Sequence, residues 1–195
     1  MISQLQKIFG SRTKALEMLE LLKGLKPVVR FGFYPHELAR VERFCGKNRL
    51  FIERSPYKVL LTEKEMFSNK GAIVPADDPR GMFLAYISSD QRAALWTCLH
   101  ETKQDHYNTG LMLGYPRCCV DFFVGEFAKG NHNPVHPAAN PWTNLLLRDK
   151  DIVLLSHFPC RPDCGESVRM AKERLAMIGT YDKELAEKMV RKLGV

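Results

Sequence analysis

Two short cysteine-bearing stretches, "GYPRCCVDFF" at residues 114–123 and "HFPCRPDCGES" at 157–167, constrain this chain more than any other part of it. They hold four of its six cysteines, and each joins a proline-bound turn to the start of an apparent helix. Tyr115-Pro116 disfavours helix at Tyr115, while Pro116 suits the first turn of the helix that follows. Cys118 and Cys119 then fall near a helix N-terminus, where free N–H groups and the helix dipole favour a thiolate, and Arg117 adds positive charge. In the second stretch Pro159 and Pro162 keep the step from Cys160 to Cys164 out of regular helix. Such a step can wrap two sulfurs around one metal ion or cluster, and His157 lies close enough to join them.

If the two stretches meet, they form a soft-ligand site. Successive helical side chains diverge by about 100°, so one of Cys118 and Cys119 is expected to be a ligand and the other to pack or act as a second thiol. The expected set is Cys119, Cys160 and Cys164, with Cys118 or His157 as the fourth member. Thiolates select zinc or an iron–sulfur cluster over magnesium or calcium. The spacing shows neither the C-x-x-C pairs common in zinc sites nor a ferredoxin run, so both occupants stay open, including a three-cysteine cluster with an open iron for substrate. Buried thiols or disulfides are the alternative. In a cytosolic chain cysteines are more often ligands, catalytic thiols or core residues than disulfides, hyperthermophiles excepted. Cys45 and Cys98 continue the apolar faces of helical segments and read as core thiols.

The motifs G-Y-P-x-C-C-x-x-x-F and H-x-P-C-x-x-x-C-x-x-S, met here at Gly114 to Phe123 and His157 to Ser167, resemble those of an uncharacterised prokaryotic family, largely archaeal, known only as a domain of unknown function. The resemblance covers roughly residues 100 to 175. It implies no activity, but marks Gly114, Tyr115, Pro116, Cys118, Cys119, His157, Pro159, Cys160, Cys164 and Ser167 as the positions of interest.

The rest of the chain reads as α+β: a small, largely antiparallel N-terminal sheet with helices, and a mostly helical C-terminal half. The first 24 residues have the spacing of one amphipathic helix ending at Gly24. "KPVVRFGFYP" reads as an extended or irregular connection between Pro27 and Pro35, and "HELARVERFCGKN" as a helix. "RLFIER", "YKVLLT", "GAIVPA" and "MFLAYIS" read as four strands. Capping boxes are expected at Thr62/Glu65, opening a short helix, and at Ser88/Gln91, opening a helix through Cys98. Helices are also expected over "RCCVDFFVGEFAK", "WTNLLLRDKDIVLLS", the run beginning near Cys164, and "YDKELAEKMVRKL", with a loop at "GNHNPVHPAANP". No repeat or linker divides the chain, which predicts a single domain over 1–195, with an α/β layer at about 1–90 and a helical cysteine-motif lobe at about 91–195.

Net charge is +7, from 29 Lys plus Arg against 22 Asp plus Glu, which can attract nucleic acid or another anion. Many of the basic residues neighbour carboxylates, as solvated helix faces do, so nucleic acid is not the favoured partner. No apolar stretch approaches the roughly 20 residues of a membrane span, and the N-terminal stretch lacks the form of a secretory signal. A cytoplasmic protein without membrane contact is expected.

His100 and Glu101 do not make a zincin pair, because position 104 is Gln. His106 is a candidate base or ligand, although a solvated histidine is the plainer reading. His132 and His136 lie in the proline-rich loop, and Glu166 and Ser167 sit where helix caps are ordinary. The leading expectation is a cytoplasmic metal-thiolate protein of unknown substrate, anionic or otherwise small. Any catalysis would be redox or sulfur transfer, with Cys118 or an open metal position meeting substrate and His157 or His106 moving a proton. The competing class is a non-catalytic binding protein, stapled by zinc or disulfides, that engages RNA or another anion.

Overall fold

A computed structural model describes residues 1–61, 71–127, 140–145 and 151–195. The chain divides into two compact units, one made of Glu20–Gly114 and the other of Met1–Leu19 with Tyr115–Val195. The first 24 residues form two helices, α1 (Ile2–Phe9) and α2 (Arg12–Leu22), rather than the single one their spacing predicts. Gly10 turns left-handed (φ 85°) and closes α1 by donating its N–H to Gln6 O, the usual glycine stop. The start of α2 is held from far along the chain. The Asp151 carboxylate accepts the Thr13 N–H at 2.7 Å, and also the Arg12 N–H and the Thr13 hydroxyl.

In the Glu20–Gly114 unit, β1 (Val28–Phe33), α3 (Pro35–Lys47), β2 (Phe51–Leu61), β3 (Gly71–Pro75) and β4 (Met82–Ser88) follow in order, then α4 (Gln91–Thr102) and α5 (His106–Met112). The sheet is antiparallel throughout, in the order β1-β4-β2-β3, so β4 inserts between the strands that α3 connects. Of the two readings of the stretch between Pro27 and Pro35, extended or irregular, the structure has the extended one, as β1. Its prolines lie just outside the strand, leaving Val29, Phe31 and Phe33 free to pair with Ile87, Ala85 and Phe83. "RLFIER" and "YKVLLT" are one strand with an irregularity between Arg54 and Lys58. Pro56 has no N–H to give the ladder, and Ser55 repairs the gap: its hydroxyl donates to Tyr57 O at 2.6 Å and accepts the Leu84 N–H at 3.0 Å.

Tyr86 of β4 is fully buried, and its hydroxyl donates to Glu101 of α4 at 2.9 Å. Burial and the neighbouring Glu101 carboxylate push the phenol's pKa upward. Arg30 of β1 pairs with the other Glu101 oxygen. One carboxylate thus ties α4 to two adjacent strands. Cys45 and Cys98 are buried, as their helical faces predict, and burial, with Glu42 nearby, pushes Cys45 up to about 12. The helix that holds Cys98 opens on Asp90, which accepts the Arg92 N–H at 2.8 Å, and not on the expected Ser88 box.

In the other unit, α6 (Arg117–Phe122) runs into a π-helical turn at Phe123–Phe127, and a single 3-10 turn lies at Pro141–Thr143. The helix expected through Ile152–Leu155 is absent from that segment. Asp151 takes a left-handed conformation (φ 56°) and the next four residues are all buried without regular secondary structure. A helix of this unit exposes one side, and four consecutive buried residues do not suit it. The unit closes with α7 (Gly165–Tyr181) and α8 (Lys183–Leu193), divided at Asp182, whose side chain accepts the Leu185 N–H at 2.9 Å. The Thr62/Glu65 box and the proline-rich loop at 130–139 lie outside the described residues. Among the described residues no helix is long and apolar enough to cross a membrane. The architecture is α+β, with its sheet in the N-terminal half.

Asp151→Ala removes the acceptor at the start of α2, and the expected loss of unfolding free energy is about 1–2 kcal/mol. Urea denaturation, followed by circular dichroism, measures it; an unchanged midpoint and slope would show that α2 needs no such cap.

Candidate metal centre

Gly114 takes φ 76°, and a Cβ there would lie 2.8 Å from Pro27 Cδ, so only glycine fits this turn. Pro116 then stands just before α6, one place earlier than expected, and Cys118 and Cys119 occupy its first turn. The second motif descends through an irregular segment to Cys164, which immediately precedes α7. Two contacts fix that segment. Phe158 stacks on Phe123, with ring centroids 6.3 Å apart, and Thr143 donates its hydroxyl to Pro162 O at 2.8 Å.

The sulfurs of Cys118, Cys119, Cys160 and Cys164 all lie within 4.8 Å of one another. Cys119 and Cys164 are 3.6 Å apart, Cys118 and Cys164 3.8 Å, and Cys118 and Cys119 3.9 Å. Both members of the adjacent pair therefore lie in the group, with Cys118 rather than His157 as its fourth member. The 100° rule describes where Cα–Cβ bonds point, whereas a thiol sulfur sits one rotatable bond farther out, and rotation about that bond brings the two sulfurs together. Cys119 and Cys164 are each 2% exposed, Cys160 is part-buried, and Cys118 is open to solvent.

No family model, curated protein or solved structure matches the chain.

His157 stands beside the sulfur group and is not one of its four members. It is 5% exposed, packs on Tyr115 with ring centroids 5.2 Å apart, and places Nε2 2.9 Å from Ser167 Oγ. Ser167 Oγ is 3.3 Å from Cys119 Sγ, and the Cys160 N–H donates to the same sulfur at 3.4 Å. A deprotonated Cys119 takes the Ser167 hydroxyl hydrogen, which leaves Ser167 Oγ to accept from His157 Nε2–H. Ser167 is thus a bridge between Cys119 and the histidine, a role its cap-like position in the sequence conceals. The third-residue spacing from Cys164 to Ser167, one helical turn, is the signal that could have disclosed it. Tyr115, whose ring lies against His157, was marked only by the motif.

His106 opens α5 in the Glu20–Gly114 unit, whereas the four cysteines belong to the other unit. His100, which the failed zincin pattern involves, has Nδ1 2.9 Å from Asp105. Glu166 is exposed and paired with Arg169 at 2.9 Å, an ordinary helix-surface bridge. His132 and His136 lie outside the described residues.

The thiols differ in their readiness to ionise. Burial raises Cys119 well above the ordinary range, and the neighbouring thiols Cys164 and Cys160 oppose a second charge there. Burial also lifts Cys160, to about 11. At Cys164 burial acts in the same sense, but the hydroxyl and backbone N–H of Ser167 and the thiols of Cys119 and Cys160 outweigh it and bring the group down to about 7. Without metal Cys164 gives up its proton near neutrality, whereas Cys119 and Cys160 hold theirs more tightly.

Two measurements follow from this geometry. In metal-free protein kept reduced, the ultraviolet thiolate band is expected to show a first step near pH 7; a first step at the ordinary thiol value would contradict the Ser167 contribution. Ser167→Ala removes the donor to Cys119 and is expected to weaken metal retention roughly 10- to 100-fold in competition with a chelator, with circular dichroism unchanged.

Proposed function

We propose that this chain is a zinc-thiolate protein in which Cys118, Cys119, Cys160 and Cys164 hold one ion in a closed, structural centre. The carrying observation is the separation of the sulfurs. Four thiolates placed tetrahedrally at about 2.3 Å from one zinc stand about 3.8 Å from each other, and the three separations among Cys118, Cys119 and Cys164 are 3.6 to 3.9 Å. Thiolates around a four-iron cluster bind different irons and stand farther apart than those that share one ion. A single iron in the same shell is the nearest competing occupant. With four sulfurs available the shell is complete, so the centre has no position reserved for substrate.

The role that follows is fastening. One ion joins the first turn of α6 to the loop at Cys160 and the start of α7, segments 41 or more residues apart in the chain. This reading favours a binding or structural protein over an enzyme, and the +7 charge suits an anionic partner such as RNA. Membership of the prokaryotic family that shares the two cysteine motifs belongs to the same proposal. Sulfur or redox chemistry is the second reading, and the exposure of Cys118 favours it.

Protein purified without oxygen is expected to be colourless, with one zinc per chain and no acid-labile sulfide. Cobalt substitution is expected to give the intense thiolate charge-transfer band of a tetrahedral site. Cys160→Ala should lose stoichiometric zinc on dialysis against a chelator. Iron and sulfide in comparable amounts would replace zinc with a cluster, and full zinc retention by the variant would remove Cys160 from the shell.

A further inference from the structure

The four sulfurs are unequally protected, and that inequality has a chemical consequence. Cys119 and Cys164 are each 2% exposed, Cys160 is part-buried, and Cys118 alone among the four is open to solvent. A small oxidant therefore reaches Cys118 first, since reactivity at a thiolate follows access as well as charge. We propose that Cys118 is a modification site for hydroperoxides, and that its oxidation is resolved by Cys164 with release of the bound ion. The ion's part in this rests on the tetrathiolate reading; the order in which the sulfurs react does not.

The Cys118 thiolate attacks one oxygen of hydrogen peroxide; the O–O bond breaks, an S–O bond forms, and hydroxide leaves. Sulfur is oxidised by two electrons and the peroxide is reduced by the same two, giving a sulfenic acid at Cys118. The Cys164 thiolate then attacks that sulfur, forming an S–S bond and breaking the S–O bond, and a second hydroxide departs. Two of the four thiolates are consumed, and the two remaining do not make a zinc shell.

The choice of Cys164 as resolving thiol comes from geometry. Cys118 Sγ has Cys164 at 3.8 Å and Cys119 at 3.9 Å, with Cys160 within 4.8 Å. Cys119 is next in the chain, and consecutive Cα atoms lie about 3.8 Å apart across a trans peptide, short of the roughly 4.4–6.8 Å that a disulfide spans. Cys164 carries no such restriction. Cys119 is further engaged by Ser167 and by the Cys160 N–H.

The test treats the zinc-loaded full chain with hydrogen peroxide, follows released zinc with a chromophoric chelator, and maps the oxidised cysteines by mass spectrometry. One zinc released for each two thiols lost, with Cys118 joined to Cys164, is the expected result. In a Cys164→Ser variant, dimedone is expected to trap the sulfenic acid on Cys118. In a Cys118→Ser variant the remaining thiols should be lost to peroxide about tenfold more slowly; should it fold poorly, the dimedone label on Cys118 still decides the point. Zinc release with Cys118 unmodified, or a disulfide between Cys119 and Cys160, would overturn the proposal, as would zinc retained after Cys118 is oxidised. On protein that proves to hold no zinc, the same mapping reads which sulfur reacts first and with which partner. The absence of zinc then overturns the tetrathiolate reading alone.

Discussion

The convergence of four sulfurs within 4.8 Å is the constraint on which the rest of this site depends. Neutral thiols gain little by facing one another, since each is a weak donor and a weak acceptor. Ionised, two of them 4 Å apart repel by about 4 kcal/mol at the effective dielectric of a protein surface. The thiols register this conflict: Cys164 ionises readily, while Cys119 and Cys160 are held neutral, by burial first and by their neighbours' charge after it. A divalent cation removes both difficulties at once. It turns mutual repulsion into shared attraction and replaces poor sulfur–sulfur contacts with coordination bonds.

The surroundings of the cluster suit a thiolate site better than an apolar core. Cys119 receives the Cys160 N–H and faces the Ser167 hydroxyl, which His157 in turn holds, with Tyr115 against the imidazole. Outer groups of this kind orient a ligand and tune how strongly it donates to a metal. They also account for the H-x-P-C-x-x-x-C-x-x-S spacing. Histidine, both cysteines and serine each have a place in one network, while Pro159 keeps the approach to Cys160 irregular. The four consecutive buried residues Ile152–Leu155 fix the course of the chain leading into it.

What was legible in the sequence is what local chemistry decides. Proline positions and cysteine spacing were enough to bring Cys119, Cys160 and Cys164 together, and helical faces placed Cys45 and Cys98 in the core. The stretches misread or left open are those where tertiary partners overrule local pattern. The prolines around β1 leave extended and irregular chain equally open, and pairing with β4, whose register partners lie 50 to 60 residues farther on, decides for the strand. Ser55-Pro56 looked like a break between strands, yet a serine hydroxyl carries one strand across it. Ile152–Leu155 has an apolar run that periodicity alone assigns equally to buried helix or buried extended chain. The choice between Cys118 and His157 as fourth member was open for a different reason: the 100° rule describes Cβ directions, and rotation one bond beyond them brings the Cys118 and Cys119 sulfurs together.

A centre built from these four residues would also make stability a function of metal supply. The motifs join the first turn of a six-residue helix to a loop without regular structure, and neither element is long enough to persist alone in water. An ion that binds only the folded arrangement adds stability by mass action, about 2.7 kcal/mol when free metal stands at a hundred times the dissociation constant. That is a large share of the 5–15 kcal/mol typical of a domain. Because a solvent-facing sulfur is among the four, the fastening and its exposure to chemical attack reside in the same atom. Burying Cys118 would protect the centre, but at the first turn of α6 it would also demand another layer of chain over a stretch whose neighbours Arg117 and Asp121 are themselves exposed.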